Sequence, residues 1–351
     1  MSAKGARIDL KGLSRGELES FVEALGWERY RADQLFAWIY RWGLVDFDQM
    51  TNLTKVKRRR LGEVACVSSL VLRRQVTSAV DGTTKYLFEL EDGEHIESVL
   101  IREENRRTVC VSTQAGCALG CVYCATGDLG LRRSLRAAEI TDQVLSIRRF
   151  LHSGETITNV VLMGMGEPLL NYEQTVKACR LMNDPDGLAI AARKITVSTA
   201  GLVPGIEKLA REGLRLGLAI SLNATTDETR SRLIPLNKKY PLAKLLSAAE
   251  EYARATSRPV TFEYVLIGGL NTSRDDALRL AQMVRGIRCK INLIPYNVIP
   301  GKPYRRPNRQ EVDGFMELLY PRCPTVTLRE SKGTDIQAAC GQLKGQQNSF
   351  L

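Results

Sequence analysis

Three cysteines at C-x3-C-x2-C spacing, Cys117, Cys121 and Cys124, are the residues of this chain best suited to chemistry. They sit between Gln114 and Gly127 in a stretch with three glycines and no proline. Such a loop can fold around a small inorganic body, because glycine lets the backbone turn sharply. The spacing delivers three thiolates and no nearby fourth ligand. Structural zinc closes a four-ligand shell. Three thiolates with a vacancy instead suit a cubane iron–sulfur cluster that leaves one iron open to a substrate. A zinc knuckle completed from elsewhere in the chain and plain buried cysteines are the alternatives. Tyr123, between the last two cysteines, could pack on a bound purine.

A second set of polar residues lies just after short apolar runs. These are Gly164-Met-Gly166-Glu167-Pro168, Ser198-Thr-Ala-Gly201, Ser221-Leu222-Asn223 and Asn297. A Gly-x-Gly after a strand also serves as a plain turn, and Ser or Asn there also caps helices. Gly166 and Glu167 also offer backbone acceptors and a carboxylate that could hold an ammonium group. Convergence of Ser198, Ser221, Asn223 and Asn297 on one rim beside the cysteine loop favours a binding pocket.

The elements that would position these residues read as α/β. Candidate strands are 109–113, 159–163, 194–198, 216–222, 260–267 and 290–296, with helical stretches near 137–152, 171–182, 204–212, 241–256 and 274–287. Six βα repeats with apolar strands predict a parallel sheet curled into a partial barrel, with its site at the carboxyl ends of the strands. Residues 1–65 read as a helical accessory unit, with a capping box at Ser14 and Glu17 and helices near 31–41 and 55–64. Packing alone, or a grip on structured RNA through phosphates, would account for it. Residues 66–108 read as a β-rich linker, 109–307 as the barrel and 308–351 as a C-terminal extension. Within the linker, Glu97 interrupts the apolar strand Ile96–Ile101, and the pattern favours an outward, solvated carboxylate. In the extension, Cys340 lies between small residues in a glycine-flanked loop, and chemistry there needs a partner; Cys110 is the candidate. Cys66, Cys179, Cys289 and Cys323 read as structural.

Composition narrows the class. The chain has 351 residues, 44% hydrophobic and 25% charged, a globular profile. No apolar run approaches the ~20 residues of a membrane span. The stretch Met1–Arg7 lacks the apolar core of a signal peptide, so the cytoplasm is the default address. Nine irregularly spaced cysteines then argue for metal or redox chemistry over a disulfide framework. Net charge is +11, with clusters at Arg58-Arg59-Arg60, Arg73-Arg74, Arg106-Arg107, Arg132-Arg133 and Arg305-Arg306. A polyanionic partner, nucleic acid above all, is the natural inference. Two histidines, His95 and His152, give little support to a His-based triad or metal site.

Taken together the motifs resemble the RlmN/Cfr family of radical S-adenosylmethionine (SAM) RNA methyltransferases. The likeness rests on the cysteine loop, Met163–Asn171, Ile195–Gly201, Ile234–Pro241 and the terminal Ala-Ala-Cys340-Gly-Gln-Leu343, and spans nearly the whole chain. It implies a partial six-fold βα barrel. It implies one 4Fe-4S cluster on Cys117, Cys121 and Cys124, and SAM, two per turnover, bound by Gly166, Glu167, Ser198, Ser221, Leu222, Asn223 and Asn297. The implied target is C2 of an adenine in 23S ribosomal RNA and of an adenine in the tRNA anticodon loop. In that scheme Cys340 carries the methyl group and Glu97 is the general base, which reverses the pattern-based reading. Cys110 releases the product by forming a disulfide with Cys340. Many relatives have His at the position of Asn223. One branch methylates C8 instead, and Glu167–Asn171 with Gly301–Tyr304 looks more like the C2 branch. A flavodoxin or ferredoxin electron donor and a monomer are also expected. The rivals are a radical-SAM enzyme without a methyl-cysteine and a zinc-containing RNA-binding protein without catalysis.

Overall fold

The computed structural model describes residues 7–323 and 325–345. Residues 1–6, in the stretch read as lacking a signal-peptide core, and 346–351 of the C-terminal extension lie outside the described residues. The N-terminal unit runs β1 (Ile8–Asp9), α1 (Arg15–Ala24), α2 (Arg31–Phe36), α3 (Lys55–Val64) and β2 (Ala65–Cys66). The capping box is present: Glu17 accepts from the Ser14 N–H at 2.6 Å and the Ser14 hydroxyl accepts from the Glu17 N–H at 3.4 Å. The helix expected at 31–41 changes character at Ala37 and continues to Arg41 as a π-helical turn. β1 and β2 pair in parallel and close the unit on itself.

Residues 66–108 do not form a separate linker layer. β3 (Val71–Thr77), β4 (Thr84–Glu89), β5 (His95–Glu103) and β6 (Arg106–Cys110) make an antiparallel meander that extends the barrel sheet. β6 starts earlier than the expected 109, because β5 continues to Glu103 and pairs with Arg106 onward. Next come the hairpin β7 (Gln114–Gly116) and β8 (Leu131–Ser134), then α4 (Ala137–Arg148), β9 (Asn159–Leu162) and α5 (Tyr172–Asn183). They are followed by β10 (Ile195–Thr199), α6 (Val203–Ala210), β11 (Gly217–Ser221), α7 (Asp227–Leu233) and α8 (Leu242–Thr256). β12 (Val260–Leu266), α9 (Arg274–Met283), β13 (Cys289–Pro295), α10 (Arg309–Leu319) and β14 (Val326–Leu328) complete the chain. Strands β6 and β9 to β14 lie side by side in chain order, all parallel, so one ten-stranded sheet runs from β3 to β14. Its β6–β14 part is the partial barrel. Its inner face carries polar residues: Thr108, Asn159, Thr196, Thr261, Asn292 and Thr327, with Val161 and Leu328 among them, line a cleft of about 600 Å³.

The N-terminal unit is locked to the barrel by ionic contacts. Lys11 Nζ meets Asp142 Oδ1 on α4 at 2.5 Å, with both side chains at most 2% exposed. The other Asp142 oxygen accepts from the Leu70 N–H at 2.7 Å. Gly12, at φ +97°, lets the chain pass close over Ala138, which a Cβ would meet at 3.0 Å. Arg15 reaches Asp184 at 2.8 Å. Lys11→Met should leave Asp142 as an uncompensated buried charge and cost about 3–5 kcal/mol of stability. Urea unfolding of the variant against wild type checks this; an unchanged midpoint would show that the pair contributes no net stability.

Candidate active site

The cysteine loop springs from β7 and returns through β8. Gly116 has φ +76°, and a Cβ there would lie 1.9 Å from the Gly130 carbonyl oxygen, so only glycine fits. The Cys117 N–H donates to Gly130 O at 2.9 Å and the Cys124 N–H to Cys121 O at 3.1 Å. Cys117, Cys121, Cys124 and Tyr123 line a cavity of about 160 Å³ at the carboxyl ends of the barrel strands. Burial, with some mutual repulsion, pushes the thiols up, Cys117 to about 11 and Cys121 and Cys124 in the same direction. As thiolates they need a cationic body beside them. Among the described residues no set of three or more His, Cys, Asp or Glu is arranged for a single metal ion. Three thiols lining one cavity are the donor set with which a cubane cluster keeps one iron open.

The opposite wall holds most of the other expected residues. Gly166, Glu167, Ser198, Ser221, Asn297 and Cys340 all line this cavity. Gly166, at φ +97°, presses on Gln114, whose Cβ would lie 2.5 Å from an added Cβ. Glu167 is buried; its oxygens accept from the Leu169 N–H at 3.0 Å and the Ala200 N–H at 2.8 Å. Burial outweighs those bonds and pushes its carboxyl up to about 7. Asn297 Nδ2 donates to Cys340 O at 3.1 Å, while its buried Oδ1 has no partner. That orphaned acceptor suits a polar ligand in the cavity.

Leu222 and Asn223 do not join this wall. Leu222 is fully buried. Asn223 sits in a left-handed turn at φ +56°. There its Nδ2 donates to Tyr123 OH at 2.7 Å and its Oδ1 accepts from the Val265 N–H at 2.8 Å. Asn223 thus braces the cysteine loop from below.

The C-terminal loop is stitched to the cysteine loop. The Ala125 N–H donates to Gly341 O at 2.7 Å and Thr126 Oγ1 to Leu343 O at 2.7 Å. Cys340 is exposed and borders a second, smaller cavity of about 30 Å³, which it shares with Cys110, Met163 and Arg329. Cys110 is buried, and burial followed by repulsion from Cys340 pushes its thiol up to about 12. All nine cysteines are free thiols, so the disulfide implied by the resemblance is not formed in this state. The solvated reading of Glu97 is overturned: the side chain is fully buried. Its Oε2 accepts from the Lys344 N–H at 2.8 Å, and Lys85 Nζ lies 3.5 Å from Oε1. Burial lowers the Lys85 pKa against the opposing pull of Glu97.

Three residues of the site escaped sequence reasoning. Arg230 is fully buried on α7 and donates to the carbonyls of Ala200 at 2.7 Å, Ser221 at 2.9 Å and Leu222 at 3.0 Å, tying two strand ends together. Glu263 and Arg329 line the cavity too. A charge inside the apolar run 260–267 was the available signal for Glu263, the same kind that singled out Glu97.

Residues 111–281 match the radical SAM superfamily model, and residues 8–67 match the ribosomal RNA large subunit methyltransferase N-terminal domain. The chain superposes on the crystal structure of a radical SAM methyltransferase from Sphaerobacter thermophilus with a TM-score of 0.93 at 47% identity, covering 97% of this chain and 100% of that one. Fold and site together define a radical-SAM methyltransferase that acts on RNA. Dual-specificity RNA methyltransferase RlmN of Pelobacter propionicus is 48% identical over 97% of this chain and 96% of its own length. The protein of the same name from Geobacter sulfurreducens is 49% identical over 97% of this chain and 92% of its own. The chain belongs to the RlmN family.

Glu167 generates a pH prediction for the metal-free chain. Its carboxyl stays protonated up to about 7 when folded, against an ordinary 4.5. The stability it contributes is full below 4.5 and is lost as pH rises to about 7. Glu167→Gln should abolish that slope and gain up to about 3 kcal/mol at pH 8. Denaturant unfolding at pH 5.5 and 8 tests it; equal pH slopes in variant and wild type would refute it.

Proposed function

We propose that this chain methylates C2 of an adenine in 23S ribosomal RNA and of an adenine in the tRNA anticodon loop, through a methyl group carried on Cys340. The observation that carries this reading is the position of Cys340. It stands on the wall between the cavity of the three-cysteine loop and the smaller one that holds Cys110. The relatives' name, dual-specificity RNA methyltransferase, supports two RNA substrates. The net charge of +11 supports a polyanionic partner.

A polar methyl transfer to C2 fails, because that aromatic carbon has no lone pair to offer. A 4Fe-4S cluster held by Cys117, Cys121 and Cys124 would supply, together with SAM, the one-electron chemistry that removes a hydrogen atom from an unactivated methyl group. The chain's own residues do the rest. Gly166, Glu167, Ser198, Ser221 and Asn297 bind and orient SAM; the Glu167 carboxylate suits its ammonium group. Leu222 and Asn223 support the wall from behind. Cys340, exposed at the cavity edge, accepts a methyl group from one SAM; a second SAM is consumed in activating that methyl for attack on C2. Glu97 takes the C2 proton, with Lys85 beside it to balance charge. Cys110 then attacks Cys340, freeing the methylated RNA and leaving a disulfide for thiols to reduce. Residues 1–65 present basic side chains to the RNA. The electron comes from a flavodoxin or ferredoxin, and the enzyme works as a cytoplasmic monomer. Among the described residues no helix is long and apolar enough to cross a membrane.

Mass spectrometry of nucleosides, after anaerobic incubation with RNA, SAM and a reductant, decides the regiochemistry. We expect 2-methyladenosine from wild type and none from Cys340→Ala. 8-Methyladenosine would place the chain with the C8 branch. Undiminished transfer by the variant would exclude the methyl-cysteine route. Iron and sulfide analysis should find a cluster in wild type that is lost in Cys121→Ser; stoichiometric zinc in a colourless protein would overturn the reading.

A further inference from the structure

Arg329 follows β14 and lines all three cavities: the one beside the cysteine loop, the small one with Cys110 and Cys340, and the polar cleft within the barrel. Among the described residues its guanidinium donates no hydrogen bond, although its side chain is largely enclosed. We propose that Arg329 is a positioning residue for product release, its guanidinium holding Cys110 as the thiolate that attacks the sulfur of Cys340. This rests on the reading above.

The release step balances without an outside oxidant. Cys110 Sγ, having given its proton to solvent, bonds to Cys340 Sγ. The bond from Cys340 sulfur to the methylene on adenine breaks, and its electron pair goes to that carbon, which takes a proton and becomes the methyl group. The two sulfurs are oxidised and the carbon is reduced. The obstacle is the Cys110 thiol, which burial pushes up to about 12. The Met163 N–H and Arg329 are what oppose that rise. Arg329 in turn faces Cys340, Glu263 on β12, Cys110 on β6 and Glu103 on β5, and Lys332 borders the same small cavity. Glu263 is half-satisfied: Asn292 donates to its Oε1 at 3.0 Å, and its Oε2 has no partner. Neither oxygen takes a hydrogen bond from Arg329, so the guanidinium is not tied to this carboxylate.

The test follows the protein–RNA adduct of the anaerobic holoenzyme, with a transcribed 23S rRNA fragment, on denaturing gels at pH 7–10. In Arg329→Met the adduct is followed from whatever amount accumulates, so that release is read apart from formation. The adduct should then decay at least tenfold more slowly at pH 7.5, with its rate rising about tenfold per pH unit. Arg329→Lys should recover most of the rate, and Cys110→Ala should hold the adduct at every pH. A second readout needs no turnover: in RNA-free protein, oxidised glutathione adds to exposed Cys340, and Cys110 displaces it. Peptide mass spectrometry should show that displacement slowed about tenfold in Arg329→Met. Wild-type decay and displacement in Arg329→Met would overturn the proposal. So would loss of adduct formation in that variant, which would place Arg329 earlier in the reaction. If neither wild type nor Cys110→Ala forms an adduct, the methyl-cysteine reading itself fails, and the glutathione displacement alone then decides the role of Arg329.

Discussion

The site depends on the seam between two loops that lie more than 200 residues apart in the chain. Backbone and hydroxyl donors of Ala125 and Thr126, at the end of the cysteine loop, bond to the carbonyls of Gly341 and Leu343. Asn297 takes the Cys340 carbonyl, and Glu97 takes the Lys344 N–H. Each is an ordinary hydrogen bond, modest by itself in net terms. Together they fix an exposed thiol at the edge of the cavity. Without them the terminal segment, which follows the short strand β14, would have little to hold Cys340 near the three-cysteine loop.

The barrel beneath this seam is built to hold polar groups without collapsing on them. Its inner face mixes threonines and asparagines with apolar residues such as Val161 and Leu328, where a closed barrel is filled by branched apolar side chains. Several of the charges that reach the interior are paired or braced by backbone. Arg230 spans strand ends, Glu167 is bonded by two N–H groups, and Lys85 sits beside Glu97. The apolar core lies on the other face of the sheet, against the helices, where Val197, Ile220, Phe262 and Leu293 are buried. The N-terminal unit is tied to that outer layer through α4, so a basic surface and the cavity belong to one ionically coupled body.

Much of the fold was legible because its signals are local. The capping box at Ser14, the helix at Lys55–Val64 and the alternation of apolar runs with helices all depend on neighbours within a few residues. The expected strands are present with ends shifted by a few residues. Their true limits depend on pairing partners, as at β6, which begins where β5 still extends. The hairpin β7–β8 and helix α7 were missed because short elements carry little periodicity.

The sequence by itself determined the family and the candidates for ligation and chemistry, because residue type and spacing within one loop survive without coordinates. Only the tertiary structure decided which way side chains point. A period-two pattern marks Glu97 as interrupting an apolar strand, yet says nothing of what covers the face it occupies; a neighbouring lysine and the C-terminal loop do so. Asn223 belonged to a recognised motif, but its amide, in a left-handed backbone turn, bonds Tyr123 and does not line the cavity. Arg329 carried no motif at all. Its place between two cysteines and a buried carboxylate arises where the last strand closes the sheet, and packing between distant segments has no counterpart in local spacing.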